Sequence, residues 1–232
     1  MEDAAMIPAV IHDNLDYLLW GNLANGEAGG LLLTALLSLA AALLASALGL
    51  ALGIAQLMGG AALRRAVMAV TAMLRAIPVL MLIFWCYFLL PLLFGIDIPG
   101  LITVILALAL IHAAYLGQAV LAGLNAVGRG QWQAGLALGF SRWQTLRWLI
   151  LPQALRIMLP SFVNQWVSLL KDSSLAYIVG VAEFTFVATQ VNNREQVYPL
   201  EIFSAIAVGY LALCALLQLG GHMAQRRWRR AA

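Results

Sequence analysis

From Gly30 to Met58 the chain carries no charged side chain, and this run of Leu, Ala and Gly decides which solvent the fold is built for. A bilayer core is about 30 Å thick, and a helix needs roughly 20 apolar residues to cross it. Four more stretches are long enough, at about Ala66–Leu93, Ile102–Leu124, Pro160–Phe184 and Leu200–Leu219. Of the 232 residues 63% are hydrophobic and 10% charged, against roughly 25% charged in soluble domains. A soluble core of this length has no room for so much apolar surface. The expectation is an all-α integral membrane protein, one domain over 1–232, with about five transmembrane helices. The N-terminus, Met1 to Met6, is acidic and lacks the basic flank of a signal peptide, so no cleaved leader is expected.

Charge in the connecting segments sets the orientation. Arg64 and Arg65 follow the first stretch, Arg129, Arg142, Arg147 and Arg156 lie between the third and fourth, and Arg226, Arg227, Arg229 and Arg230 follow the fifth. The other side receives Glu2, Asp3, Asp13, Asp16, Glu27, Asp97, Glu195 and Glu201, with Arg194 as its one basic residue. Positive charge stays in the cytoplasm, which puts the N-terminus outside and the C-terminus inside. Residues 1–29 then form a periplasmic segment, 127–159 a cytoplasmic loop and 220–232 a basic cytoplasmic tail. That tail reads as a headgroup anchor, and nucleic acid is not an expected partner.

The loop between the third and fourth stretches is amphipathic and longer than a bundle connection needs. Gln131 to Leu138 reads as a short helix, and Gly139 suits a left-handed stop after it. Ser141 caps a second helix over Arg142–Leu151, with Gln144 placed for a capping box. Pro152 and Pro160 punctuate the chain beyond it. A helix–turn–helix on the cytoplasmic face of a membrane bundle is a docking lever for a soluble partner.

The run Gly130 to Leu155 resembles the E-A-A loop of ATP-binding-cassette importer permeases. In that pattern a Glu-Ala-Ala is followed four residues later by Gly, and then by Ile-x-Leu-Pro. Gln133, Ala134 and Gly135 hold the first place, Gly139 is the glycine, and Leu151 with Pro152 closes the pattern. Leu74 to Leu80, leading to Phe84–Pro91, and Ser168 to Ile178 are similar to core helices of the polar amino acid (histidine/glutamate/glutamine) branch. Within it the chain looks most like glutamate/aspartate permease subunits. The resemblance covers about Thr34 to Leu219.

It implies an ATPase subunit seated on Gln133, Ala134, Gly135, Leu138, Gly139, Leu151 and Pro152. It also implies a second permease (itself or a homologue), a periplasmic substrate-binding protein, a polar amino acid substrate and a bacterial inner-membrane location. Two departures stand out. Gln133 and Gly135 replace the usual glutamate and alanine, and glycine costs about 1 kcal/mol inside a helix. Gln118 and Leu121 stand where relatives often carry Glu and Arg, so an ion pair of those relatives is absent.

The chain has no phosphate-binding Gly-x-x-x-x-Gly-Lys-Ser/Thr, and its one lysine is Lys171. No metal-ligand spacing, Ser/His/Asp set or cofactor motif is present. The chain is therefore not expected to be an enzyme, and ATP is expected to be used by the partner subunit. Cys86 and Cys214 sit in apolar runs as small core residues.

Ionisable groups inside membrane stretches are functional hypotheses by default. Lys171 and Asp172, with Ser173 and Ser174, are expected to bend or break the fourth helix and line a cavity for a zwitterionic ligand. The alternative is an internal pair that only holds the bundle. Arg75 either meets an acidic substrate or snorkels to the interface, and His112, Tyr115 and Gln118 supply polar wall or satisfied interior groups. Phe84, Trp85, Tyr87 and Phe88 read as packing or an interfacial belt. Ala41, Ala45, Gly49 and Gly53, four residues apart, read as a close-packing stripe or as plain abundance of small residues. The leading function is the permease subunit of an amino acid importer, with acidic amino acids or glutamine as substrate. A non-conducting scaffold or sensor subunit and an ion-coupled secondary transporter are the alternatives.

Overall fold

Leu, Ala, Ile and Val at nearly every position leave the backbone amides no polar competitor, and the chain satisfies them in helices. The computed structural model describes residues 11–23 and 26–230, the side chains of 228–230 excepted. Glu2 and Asp3, and the side chains of Arg229 and Arg230, lie outside the described residues. The helices are α1 (Leu15–Trp20), α2 (Gly30–Met58), α3 (Ala61–Ala76), α4 (Val79–Phe84), α5 (Leu90–Phe94), α6 (Gly100–Ala126), α7 (Arg129–Ala137), α8 (Arg142–Thr145), α9 (Leu151–Asp172), α10 (Phe184–Glu195) and α11 (Pro199–Arg230). One short antiparallel pair, β1 (Gly21–Asn22) with β2 (Glu27–Ala28), sets Gly21 opposite Ala28.

By length and composition α2, α6 and α11 qualify as membrane crossings, and α3 with α4–α5 makes a fourth if the broken pair is one crossing. The all-α membrane fold expected from the sequence is the one adopted. Two expectations need correction. The stretch Ala66–Leu93 is not one helix, because Pro78 lacks an N–H and pushes Ile77 into extended backbone (φ −86°, ψ 128°). The stretch Pro160–Phe184 is not one apolar helix either. Helix α9 starts at Leu151 and keeps Pro160 inside it, and the chain then tightens into a 3-10 segment over Ser173–Val179. Asn164, Gln165, Ser168, Lys171 and Asp172 dilute its hydrophobicity.

Two turns of π-helix interrupt the α-helical runs. Trp85–Leu89 joins α4 to α5, and Leu146–Ile150 joins α8 to α9. In each the N–H of the next residue bonds five residues back, Leu90 to Trp85 and Leu151 to Leu146. A proline follows directly, Pro91 and Pro152. The wider turn moves the carbonyl that a proline ring would strike.

The chain divides into two units, and several long helices contribute to both. The first contains Met1–Ala41, Pro78–Leu108 and Ser168–Leu216. Its core joins Leu18 of α1 to Phe184, Val187, Ala188 and Val191 of α10 and Ile202 of α11. A cleft of about 550 Å³ opens beside this core, lined mainly by apolar residues such as Leu15, Leu31, Phe184 and Val208. None of the residues expected to meet substrate lines it.

The second unit contains Ala42–Ile77, Ala109–Val167 and Leu217–Ala232. Here Gly49 and Gly53 let α2 lie against α6. A Cβ on Gly53 would stand 2.4 Å from Val120 Cγ1 and 2.9 Å from the Gly117 carbonyl oxygen. The stripe is therefore a packing seam over this stretch. Trp166 Nε1 of α9 donates to Ser46 Oγ of α2 at 2.9 Å. Gly53→Val should overpack the seam and cost about 1–3 kcal/mol, read as a lower thermal unfolding midpoint in detergent. An unchanged midpoint would show that the helices part without cost.

Candidate functional site

The loop after α6 builds its turn from local chemistry. Helix α7 ends in a Schellman motif, with Phe140 N–H donating to Gly135 O at 3.1 Å and Gly139 N–H to Leu136 O at 3.0 Å. Gly139 has φ +83°, the left-handed conformation expected at this stop. Ser141 and Gln144 form the expected capping box. Ser141 Oγ accepts from Gln144 N–H at 3.2 Å, and Gln144 Oε1 accepts from Ser141 N–H at 2.8 Å. The helix opened by that cap does not stop near Leu151 but runs through the π-turn into α9.

Gly135 faces α8 and is buried. A Cβ there would stand 2.6 Å from Thr145 Cγ2 and 2.8 Å from its Oγ1. Thr145 is itself buried and donates to Ser141 O at 3.0 Å. The glycine thus lets the two arms of the lever close on each other. Gln133, Ala134 and Leu138 remain exposed, Leu138 at 72%, with Leu136 at 48% beside them. Ala134 and Leu138, four residues apart, are exposed apolar groups on one helical face that a partner can cover. Leu151 is partly buried and Pro152 is exposed, directly after the π-turn whose wider winding accommodates its ring.

The first unit holds the Lys171–Ser174 turn. Helix α9 ends at Asp172 (φ −68°, ψ −20°), and the expected disturbance of the helix is a change of winding to 3-10. Ser173 Oγ donates to Leu170 O at 2.7 Å and Ser174 Oγ to Lys171 O at 2.8 Å. Both hydroxyls thus bond to the helix's own carbonyls, and Ser173 is fully buried. Lys171 is exposed and Asp172 half-buried at the turn.

In the second unit, Arg75 lies in the last turn of α3, where a cation complements the carbonyl end of the helix. Its Nε donates to Thr71 O at 3.2 Å, and its guanidinium sits 5.8 Å from the centre of the Tyr115 ring. Tyr115 OH donates to Arg75 O at 3.5 Å. The structure therefore brings Arg75 and Tyr115 together. His112 is buried and lies with Nδ1 2.5 Å from Gln165 Nε2. Gln118 is exposed, one turn on from Tyr115 on α6.

Sequence reasoning missed Glu183, a fully buried carboxylate whose side chain caps α10. The signal was present: an acidic residue closing an apolar stretch, just before a new helical run. The folded chain also gives it Thr34 and Tyr210 as partners, and these could not be read from spacing.

Residues 45–230 match the family described as binding-protein-dependent transport system inner membrane component. The glutamine transport system permease protein GlnP of Escherichia coli (strain K12) is 34% identical over 184 residues, 78% of this chain and 82% of that protein. The glutamate/aspartate import permease protein GltK of Escherichia coli O157:H7 is 35% identical over 129 residues, 52% of this chain and 57% of its own length. Among solved structures, an amino acid ABC transporter with histidines is similar at a TM-score of 0.76 and 26% identity, over 84% of this chain and 90% of that one.

Gly135→Ala should push α7 off Thr145 at a cost of about 1–3 kcal/mol, and Thr145→Ser should restore part of it by removing the Cγ2. Thermal unfolding of the single and double variants checks this. Equal losses in both would place the strain elsewhere.

Proposed function

This chain belongs to the family of binding-protein-dependent transport system inner membrane components, and we propose that it forms, with a second permease chain, the pathway of an ATP-driven importer for polar amino acids. The substrate class is an acidic amino acid or glutamine. Lys171 in the first unit and Arg75 in the second are each a cation that favours a carboxylate, and Gln118 leaves no negative charge at its position. Relatives whose names specify glutamine and glutamate/aspartate support the same class.

The observation that carries the reading is the closed lever over Arg129–Thr145. Its inner face is packed by Gly135 on Thr145, its turn is held by Gly139 and the Ser141–Gln144 box, and Ala134 and Leu138 lie exposed on another face. Such a rigid element transmits force from a soluble motor to α9, because α8 runs through the π-turn into that helix. Lys171 lies at the other end of α9. ATP hydrolysis belongs to a separate subunit seated on the lever, and a soluble binding protein delivers the amino acid from outside. The chain holds no nucleotide motif and acts as the non-catalytic partner. The basic segments Arg64–Arg65, Arg129–Arg156 and Arg226–Arg227 face the cytoplasm.

Reconstitution with the cognate ATPase and binding protein in liposomes tests the reading through ATP-dependent uptake of labelled glutamine, glutamate, aspartate, histidine and arginine. Lys171→Ala should lower uptake at least about tenfold while the ATPase stays bound, as expected for a lost charged contact. Gly139→Pro cannot adopt φ +83° and should lose both uptake and ATPase binding. No uptake of any of the five by an intact, ATP-hydrolysing wild-type complex would overturn the assignment.

A further inference from the structure

The transport reading gives Glu183 no role, yet four donors converge on it. They are the N–H groups of Thr185 and Phe186, both at 2.9 Å, the phenol of Tyr210 at 2.7 Å and the hydroxyl of Thr34 at 3.4 Å. Thr34 shares its proton with Gly30 O at 3.2 Å, and its oxygen accepts from Phe184 N–H at 2.9 Å. Thr185 Oγ1 lies 3.1 Å from the Tyr210 hydroxyl and extends the network. The main chain adds a bond from Gly30 N–H to Ala182 O at 2.9 Å.

Capping α10 needs only the two N–H bonds. Tyr210 and Thr34 are additional, and they come from α11 and α2. Together they hold the exit of the 3-10 segment, since Gly180, Val181 and Ala182 are the only residues between Val179 and Glu183. A 3-10 run longer than three or four residues is uncommon because its hydrogen bonds are poorly aligned, and this one spans seven. Its entry is held by the Ser173 and Ser174 hydroxyls. Its exit is held by Gly180 N–H on Tyr177 O at 3.1 Å, Val181 N–H on Ala176 O at 3.3 Å, and then the Glu183 junction.

We propose that Glu183, gripped by Tyr210 and Thr34, is a positioning residue that fixes the far end of the Ser173–Val179 segment and so holds Lys171 and Asp172 in their substrate-binding pose. The inference rests on the reading of the Lys171–Ser174 turn as the substrate contact. A carboxylate suits the place because it offers acceptors only, and a glutamine amide would turn a donor toward other donors.

The test uses the whole complex in liposomes, with labelled glutamine as the transport probe and amide hydrogen exchange as the structural one. Tyr210→Phe should raise the KM for glutamine about tenfold, with basal ATP hydrolysis and maximal uptake rate unchanged. Exchange should quicken over residues 173–179 but not over 129–145. Thr34→Ser keeps the hydroxyl and should behave as wild type. If Tyr210→Phe fails to assemble, Thr34→Ala carries the same test. An unchanged KM, with faster exchange confined to 184–195, would make the junction a helix cap and overturn the proposal. If the wild-type complex takes up no amino acid, the transport reading fails instead. Exchange over 173–179 then still decides whether the junction holds the segment, and no increase there overturns that too.

Discussion

A helix break inside a membrane strands amides and carbonyls that no water can reach, and the architecture of this chain depends on how each break is closed. At Ile77 the N–H turns back to Leu74 O at 3.4 Å. At the π-turn over Trp85–Leu89 the ladder shifts by one residue and resumes. Before Asp172 the freed carbonyls of Leu170 and Lys171 accept hydrogen bonds from the Ser173 and Ser174 hydroxyls. At Glu183 a carboxylate supplies acceptors for a new helix start. Because each unsatisfied group in hydrocarbon costs several kcal/mol, breaks survive only where a side chain or a change of winding closes them.

Proline illustrates the rule from the opposite direction. Pro78 ends a helix because Ile77 goes extended. Pro91 and Pro152 do not, because a π-turn precedes each and relieves the ring of its clash. Pro160 stays inside α9. The same residue type therefore breaks, widens or continues a helix according to what the neighbouring turn can absorb.

Gly135 shows how a departure from a family pattern acquires a reason. In sequence it looks like a weakened docking helix, since glycine is a poor helix former. In the folded loop it is the contact point with Thr145, and any larger residue would push α7 and α8 apart. Local helix propensity is given up for close approach of the two arms. Gly49 and Gly53 do the same between α2 and α6, so the small-residue stripe is packing rather than composition alone.

Much was legible before folding. The apolar run Gly30–Met58 dictated a lipid solvent, and α2 occupies that range. The Gly139 stop, the Ser141–Gln144 box and the disturbance at Lys171–Asp172 come from local backbone chemistry, which acts over three or four residues. The linear chain does not contain long-range pairing. Arg75 on Tyr115 and Gln165 on His112 depend on helices meeting. Glu183 is bonded to a hydroxyl 149 positions away and a phenol 27 positions away. In a membrane chain apolar pattern tells which residues leave water, but each buried polar group finds its donor only when tertiary packing delivers one, and that the tertiary structure alone decided.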